Sequence, residues 1–341
     1  MSIVVTGAAG FIGYHVAMAL LDRGEEVIGV DVVNSYYDVA LKEARLARLT
    51  PRRGFRFARL DLADREAFPA LAAANPEVTT LIHLAAQAGV RYSMVDPHAY
   101  VTSNVMGHLV VLEAARRMKG LRHLVYASSS SVYGGSESLP FGERDRADTP
   151  LSLYAATKRA DELFAHAYAH LFGLPQTGLR FFTVYGPWGR PDMAYYSFAE
   201  AILSGRPITV YDGGKVRRDF TFIEDAVQAV LALAALPPAG PPRVVNIGNH
   251  RSEPVSALIA LLEAELGRRA VIVDTPRPAA DVAETCADVE RLRGLVGFSP
   301  ETPLDRGIAR FAAWFREWHM AGGGSGDARR DGGVDAPRRG A

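Results

Sequence analysis

Tyr154 and Lys158 lie four residues apart in Tyr154-Ala155-Ala156-Thr157-Lys158, at the start of a helical pattern. Positions i and i+4 of a helix share one face, so the phenol and the ammonium converge on one small volume. A phenol is a poor base at neutral pH, and a nearby cation favours its ionised form. The pair therefore suits proton transfer with a sugar or alcohol hydroxyl. Taken alone, the same spacing also describes an ordinary amphipathic helix with an exposed lysine.

A run of hydroxyl side chains precedes this pair. Ser128, Ser129, Ser130 and Ser131 follow an apolar segment that is predicted to be a buried strand. Ligands of open parallel sheets bind beyond the carboxyl ends of the strands, so these hydroxyls are expected to face a ligand. Outside such a sheet, the run would be a solvated turn. Serine, tyrosine and lysine together supply a hydroxyl donor, an acid/base group and a cation.

A glycine-rich loop follows the first predicted strand. Its sequence, Thr6-Gly7-Ala8-Ala9-Gly10-Phe11-Ile12-Gly13, has the spacing Gly-x-x-Gly-x-x-Gly and leads into a helix. Glycines allow the sharp turn and the close approach of a pyrophosphate, and the helix N-terminus attracts its charge. Asp31 ends the second strand, where a carboxylate accepts ribose hydroxyls and repels a 2′-phosphate, which favours NAD over NADP. Asp61 ends the third strand and is either an adenine contact or a helix N-cap.

Strands and helices alternate over the first 182 residues, which predicts an α/β fold with a Rossmann-type doubly wound parallel sheet. The predicted strands are Ile3–Thr6, Glu26–Asp31, Phe55–Leu60, Thr80–Leu84, His123–Ala127 and Gln176–Phe182. The main predicted helices are Phe11–Arg23, His98–Arg117 and Tyr154–Phe172. Helix Ile223–Leu236 and strand Val244–Ile247 read as a later addition to the same sheet.

The sequence pattern also predicts the limits of the domains. Residues 1–182, with about 220–248, form the predicted cofactor domain. Residues 183–219 and 249–320 form a smaller mixed α/β lobe, and residues 321–341 are predicted to be a disordered tail.

Lys plus Arg equals Asp plus Glu at 38 each, so nothing indicates a nucleic-acid partner. The single cysteine, Cys286, excludes an internal disulfide and fits a reducing compartment. With no signal peptide, membrane span or metal-ligand spacing apparent, we expect a cytoplasmic protein without a metal.

From residue 2 to about residue 319 the chain resembles the extended short-chain dehydrogenase/reductase family. The matching motifs are TGAAGFIG at 6–13, HLAA at 83–86, SSSSVYG at 128–134, YAATK at 154–158, RFFTVYGP at 180–187 and RDFTF at 218–222. Within that family the chain is most similar to UDP-glucuronate 4-epimerases. That similarity is carried by AQAGVRYS at 86–93, PWGRPDMA at 187–194 and YDGGK at 211–215.

The resemblance implies a reaction. In such epimerases NAD remains bound, and Tyr154 takes the proton of the sugar 4-hydroxyl while hydride leaves C4. The 4-keto sugar then turns over within the site and takes the hydride back on its other face. Lys158 is expected to favour the phenolate and to hold the nicotinamide ribose. Ser129 matches the hydroxyl partner of the tyrosine, with Ser130 as second choice.

The resemblance also assigns binding residues and a homodimer built from helices 98–117 and 154–172. The expected NAD contacts are Gly7, Gly10, Phe11, Ile12, Gly13, Asp31, Asn34, Asp61, Leu62, Leu84, Ala85, Ala86, Gln87, Asn104, Tyr154 and Lys158. The expected contacts of the UDP-sugar are Arg91, Ser129, Ser130, Ser131, Tyr154, Thr183, Arg190, Tyr195, Val210, Arg218 and Arg277. Arg190, Arg218 and Arg277 are also compatible with ordinary surface charges.

Two details favour glucuronate epimerisation over related reactions. Related dehydratases and decarboxylases carry a carboxylate just after the hydroxyl residue, whereas this chain has Ser130 and Ser131. Thr183 and Arg190 match residues that recognise a sugar carboxylate, and a guanidinium binds a carboxylate through two hydrogen bonds. The alternatives are a UDP-glucose/UDP-galactose 4-epimerase, a UDP-glucuronate decarboxylase, and an NAD-binding regulatory protein that has lost catalysis.

Overall fold

The computed structural model describes residues 1–136, 138–238, 240–278 and 281–322. The predicted disordered tail therefore lies, apart from residues 321 and 322, outside the described residues. The strands are β1 Ser2–Thr6, β2 Glu26–Asp31, β3 Phe55–Arg59, β4 Val78–His83, β5 His123–Ser129, β6 Gln176–Phe181, β7 Thr183–Tyr185, β8 Pro207–Tyr211, β9 Arg217–Phe222, β10 Arg243–Ile247, β11 Ser252–Pro254 and β12 Val271–Thr275. The α-helices are α1 Phe11–Asp22, α2 Val39–Leu49, α3 Ala67–Ala74, α4 Pro97–Tyr100, α5 Gly107–Ala115, α6 Leu153–Phe172, α7 Ala194–Ser204, α8 Ile223–Ala234, α9 Val255–Leu266, α10 Glu290–Val296 and α11 Leu304–Met320.

The main sheet has the predicted doubly wound form. In the described part of the chain it contains seven parallel strands in the order β10-β6-β5-β4-β1-β2-β3. The chain winds outward in both directions from β1, so the switch point lies between β1 and β4, where α/β sheets bind ligands. Strand β10 joins β6 in parallel, as the late helix–strand pair predicted. The fold class is confirmed.

The inner strands of the main sheet are mostly buried, as parallel strands covered on both faces require. Every residue of β1 and of β6 is buried. Two smaller sheets, β11-β9-β7 and β12-β8, are formed by strands that follow β6 in the chain. The cleft opens beyond the carboxyl ends of the main strands, and residues 181–193 and 281–285 contribute to its lining.

Two of the differences from the predicted elements concern the site. Strand β5 runs to Ser129, two residues further than predicted, so it carries the first two serines of the run. The predicted helix 98–117 is interrupted by a π-helical turn, Val101–Met106, between α4 and α5. Such turns often occur at functional sites. Here the turn carries Asn104, whose side chain is buried and faces the sheet loops.

Candidate active site

A cleft at the switch point brings most of the predicted site residues together. Its lining includes the serine run, Tyr154, Lys158, Thr183, Arg190 and Arg218. On the cofactor side it is lined by Gly7, Gly10, Phe11, Ile12, Gly13, Asp31, Asn34, Asp61, Leu62, Leu84, Ala85, Ala86 and Gln87. The predicted residues Arg91, Asn104, Tyr195, Val210 and Arg277 do not line it.

The glycine loop forms a cradle that side chains would fill. A Cβ on Gly13 would lie 2.0 Å from the carbonyl oxygen of Gly7, and one on Gly7 would lie 2.8 Å from the backbone nitrogen of Ala85. Gly7 also has φ +72°, a conformation that favours glycine. In this described region no side chain caps the start of α1, so its first N–H groups can hydrogen-bond a phosphate. The cradle thus fits a dinucleotide pyrophosphate.

Asp31 ends β2 and lines the cleft beside the glycine loop. Its Oδ2 accepts the backbone N–H of Ala9 at 3.0 Å, and its Oδ1 accepts that of Val33 at 2.7 Å. Each carboxylate oxygen has capacity for a further donor, which ribose hydroxyls can supply. Beside it, the Lys42 ammonium donates to the backbone and side-chain oxygens of Asn34 at 2.7 and 2.6 Å. Burial lowers the pKa of Lys42 to about 8.

Sequence reasoning missed Lys42, although it lines the cleft. It lies outside the glycine loop and the strand ends, and nothing in its spacing distinguishes it from a surface lysine of α2.

The Tyr154–Lys158 pair occupies the first turns of α6, whose start is fixed by the Ser152 side chain accepting the N–H of Ala155. Lys158 is buried, and its ammonium donates to the carbonyl of Ala127 at 3.0 Å and to Asp161 Oδ2 at 3.1 Å. An ammonium has three donors, so these two bonds leave one for a ligand.

Asp161 is a residue that sequence reasoning missed. Burial raises its pKa to about 6, against the opposing charge of Lys158, with which it forms a buried ion pair. Its place one turn after Lys158 was visible in the sequence, but its burial was not.

A buried network fixes α6 against β5 and β6. Glu162 accepts two hydrogen bonds from Arg180, both at 2.8 Å, and one each from Ser128 at 2.6 Å and Arg159 at 2.9 Å. Burial alone would raise the pKa of Glu162, but the hydrogen bonds and charge of Arg180 bring it below its usual value. The network fixes the position of Tyr154 relative to the serine run. Within it, the Ser128 hydroxyl is used in a hydrogen bond to Glu162.

The remaining serines lie at the end of β5 and in the turn after it. Ser129 Oγ accepts the N–H of Ser131 at 3.1 Å and starts a 3₁₀ turn, Ser130–Tyr133. All three of Ser129, Ser130 and Ser131 line the cleft. Their hydroxyls are therefore available to a ligand near Tyr154.

Asn104 has a supporting place behind the cleft. Its Oδ1 accepts the N–H of Gln87 at 2.8 Å, and its Nδ2 donates to the Gln87 carbonyl at 3.1 Å and to Thr157 Oγ1 at 2.9 Å. These contacts tie the loop after β4 to α6. Asn104 therefore holds Gln87, a residue of the cleft lining, in place, and its contact with the cofactor remains a prediction.

Arg190 lies in the cleft but already faces a carboxylate of the protein. Its Nε and Nη2 donate to Asp192 at 3.0 and 2.5 Å, and the Tyr36 hydroxyl donates to Asp192 Oδ2 at 3.2 Å. Burial would lower the pKa of Arg190, but Asp192 raises it above its usual value. Asp192 was within a quoted motif, yet the sequence did not indicate that it pairs with this arginine.

Three predicted arginines converge on Asp281. Arg218 donates to its Oδ1 at 2.7 Å, Arg91 donates to its Oδ2 at 3.4 Å, and Arg277 donates to its carbonyl oxygen. Asp281 and Arg218 line the cleft, whereas Arg91 and Arg277 are not part of its lining. A cluster of guanidinium groups at the cleft wall suits a diphosphate.

Tyr195 and Val210 are placed away from the cleft. The Tyr195 ring is 1% exposed and packs edge-on against Phe311, with 4.9 Å between ring centroids. Val210 packs in a small apolar cluster with Ile208 and Ile259. Both side chains are buried in the hydrophobic core, so a contact of these residues with the nucleotide sugar would involve their backbone.

This fold and site define a class of enzyme. A doubly wound sheet whose cleft joins a glycine cradle to a serine–tyrosine–lysine set is typical of the extended short-chain dehydrogenase/reductases. Residues 3–248 match the model of the NAD dependent epimerase/dehydratase family. The chain belongs to that family, which confirms the predicted resemblance and the NAD cofactor.

Individual relatives span nearly the whole chain. A probable UDP-glucuronate 4-epimerase of Rhizobium meliloti is 45% identical over 333 residues, covering 92% of this chain and 97% of that protein. UDP-glucuronate 4-epimerase 3 of Arabidopsis thaliana is 44% identical over 94% of this chain and 78% of its own length. The crystal structure of UDP-glucuronic acid 4-epimerase from Bacillus cereus, in complex with UDP-glucuronic acid and NAD, aligns with a TM-score of 0.87 at 33% identity, covering 93% and 99% of the two chains.

The described residues contain neither a membrane-spanning helix nor a metal-binding cluster. No helix there combines the length and apolar character that crossing a membrane requires. No group of three or more histidine, cysteine, aspartate or glutamate side chains in the described ranges is arranged to hold a metal ion.

Proposed function

We propose that this protein is an NAD-dependent epimerase that interconverts UDP-glucuronate and UDP-galacturonate. The observation that carries the proposal is a single cleft that holds Tyr154 and Lys158 between the glycine cradle and the Thr183–Arg190 side. The named activity of the relatives in Rhizobium, Arabidopsis and Bacillus supports the same substrate. In this proposal the lobe of residues 183–219 and 249–320 binds the nucleotide sugar.

Proton transfer falls to Tyr154. When bound, NAD⁺ takes hydride from C4 of the sugar and returns it to the opposite face. Tyr154 takes the proton of the 4-hydroxyl during oxidation and gives it back during reduction. The Lys158 ammonium, held by Ala127 and Asp161, favours the phenolate by its charge. Ser129 orients the sugar 4-oxygen, and Ser130 and Ser131 hydrogen-bond the sugar ring substituents.

Retention of the carboxylate is the second task of the site. A 4-keto-uronate is a β-keto acid, which loses CO₂ when its carboxylate turns out of the carbonyl plane. The residues directly after Ser129 are hydroxyls, so they offer no strong acid to protonate the enolate that decarboxylation would produce. Thr183 and Arg190 hold the sugar carboxylate in an unreactive orientation. For this, Arg190 either releases Asp192 and binds the substrate carboxylate, or donates hydrogen bonds to both carboxylates.

The nucleotide is held at the other end of the cleft. Arg218, together with Arg91 and Arg277, neutralises the diphosphate. Asp281 keeps these cations together and limits their mutual repulsion.

We further propose a cytoplasmic homodimer. Helix α6 exposes apolar side chains at Leu163, Leu171 and Phe172, with 54%, 66% and 49% of their surface accessible. A second α6 packed against this face, together with residues 97–115, would bury them. Size-exclusion chromatography with light scattering measures the mass, and a monomer at micromolar concentration contradicts the dimer.

The function is tested by incubating purified protein with UDP-glucuronate without added NAD and following the products by NMR. UDP-galacturonate formed without UDP-pentose supports the proposal. Conversion of UDP-glucose alone, or release of CO₂ as the main reaction, overturns the proposal. Arg190→Ala should reduce kcat/KM for UDP-glucuronate far more than for UDP-glucose, with the exposed Arg48→Ala as control.

A further inference from the structure

The backbone just before Arg190 has an uncommon conformation. Trp188 has φ +61°, which is rare for a bulky residue and is kept only where surrounding contacts impose it. Gly189 follows, and a Cβ there would lie 1.9 Å from the Tyr195 hydroxyl oxygen. The direction in which Arg190 leaves this turn therefore depends on what holds residues 187–189.

Side chains from the cofactor-binding half hold that turn. His15 of α1 hydrogen-bonds the carbonyl of Pro187 at 2.9 Å. Burial lowers the pKa of His15 to about 4, so at neutral pH the ring is uncharged and its Nε2–H donates. Arg45 of α2 donates from Nη2 to the carbonyls of Trp188 and Gly189 at 2.7 and 3.1 Å. Three consecutive carbonyls are thus fixed by α1 and α2.

The other end of the Arg45 guanidinium reaches the cofactor loop. Its Nη1 donates to the carbonyl of Ala9 at 2.8 Å and to the Tyr37 hydroxyl at 2.7 Å. Ala9 belongs to the glycine loop, and Tyr37 lines the cleft. One rigid, planar cation therefore bridges the cofactor cradle and the turn that carries Arg190.

Burial of this cation is not explained by an ion pair. Arg45 is fully buried, and within the described residues its hydrogen-bond acceptors are carbonyl and hydroxyl oxygens without a carboxylate among them. Removing a guanidinium from water without a counter-charge is unfavourable, so its hydrogen bonds must offset that loss. Those hydrogen bonds fix the position of the turn 187–189 relative to the glycine loop.

We propose that Arg45 is a positioning residue that sets the selectivity of the site for a sugar carboxylate by fixing the turn before Arg190. The proposal rests on the proposed function, because it takes Arg190 as the group that binds the carboxylate. Arg45 does not touch the substrate; it acts through Trp188 and Gly189. Loss of Arg45 allows Trp188 to relax, and Arg190 then moves away from the place where it meets the sugar carboxylate.

The test compares Arg45→Met with Arg48→Met in the holoenzyme. Arg48 lies one turn further along α2, is exposed, and contacts the ring of Trp188 but not its carbonyl. For each variant, kcat, KM and calorimetric Kd are measured with UDP-glucuronate and with UDP-glucose, and the NAD content is measured after denaturation. Arg45→Met should weaken UDP-glucuronate binding about tenfold, as loss of one charge-assisted bond implies, and UDP-glucose binding less than threefold.

Different outcomes separate this inference from the proposed function. Arg48→Met should keep the wild-type preference between the two sugars. Equal losses for both sugars in Arg45→Met, or an unchanged ratio, would overturn the positioning role, since a general structural defect affects both alike. A wild-type protein that does not prefer UDP-glucuronate would instead contradict the proposed function. If Arg45→Met does not fold, Arg45→Lys, which keeps the charge but not the planar fork, must show the same loss of preference.

Discussion

Replacing Arg180 with methionine tests the network that holds α6 in place. Arg180 and Glu162 are each 3% exposed and are joined by two hydrogen bonds of 2.8 Å. The Arg180 guanidinium also lies 4.8 Å from the centroid of the Tyr133 ring. In Arg180→Met, Glu162 keeps Ser128 and Arg159 but loses its bidentate partner.

The size of the effect follows from burial. Removing one partner of a buried pair costs about 3–5 kcal/mol, because the other charge remains in a low-dielectric site. Arg159 still contacts Glu162 and is 28% exposed, so part of that charge remains compensated. We therefore expect the free energy of unfolding to fall by about 3 kcal/mol, the lower end of that range.

Urea unfolding followed by circular dichroism measures this change. The matched control is Arg310→Met, which breaks a bidentate pair with Glu224 whose two side chains are 53% and 59% exposed. Exposed pairs contribute about 0–1 kcal/mol, so the control should lose much less stability than Arg180→Met. A loss below about 1 kcal/mol for Arg180→Met, equal to that of the control, would refute the reasoning that Glu162 depends on this partner.

Three further predictions concern the site and the core. Tyr154→Phe should abolish epimerisation while NAD stays bound, and wild-type activity in that variant would remove Tyr154 from the mechanism. Gly13→Ala should prevent NAD binding, because the added Cβ would lie 2.0 Å from the Gly7 carbonyl oxygen, whereas Gly294→Ala, which meets no atom within 4 Å, should leave the NAD content unchanged. Burial raises the pKa of Asp219 from 3.8 to about 6, so the folded state binds this proton more tightly than the unfolded chain. The stabilisation from this proton is complete below about pH 4 and is lost as the pH rises through 6. Between pH 4 and 7, the free energy of unfolding of Asp219→Asn should therefore rise relative to that of wild type, by up to about 3 kcal/mol. Denaturation at each pH measures this difference, and a difference that stays constant would contradict the prediction.

The sheet and the cofactor side were predictable because their determinants are local. Strand–helix alternation, the glycine spacing and Asp31 depend on short stretches of chain, and the structure places them as expected. Tyr154 and Lys158 share a face because helical geometry alone requires it.

What could not be predicted depends on contacts between distant segments. Arg45 meets the carbonyls of Trp188 and Gly189 more than 140 residues away, and no spacing in the sequence indicates that contact. The pairing of Arg190 with Asp192 and the packing of Tyr195 against aromatic rings likewise follow from how the chain after β6 packs. At these positions the residue type and the motif indicated the polarity or the size of the side chain, but not the direction in which it points.

The central claim is that one hydrogen leaves C4 and returns to the same carbon while the carboxylate stays in place. It is tested most directly with UDP-glucuronate deuterated at C4, incubated in ordinary water with the purified protein and examined by NMR and mass spectrometry. The account predicts UDP-galacturonate that keeps its deuterium at C4 and its carboxylate, and no such product from Tyr154→Phe. Protium at C4 of the product, or UDP-pentose with release of CO₂, would contradict it.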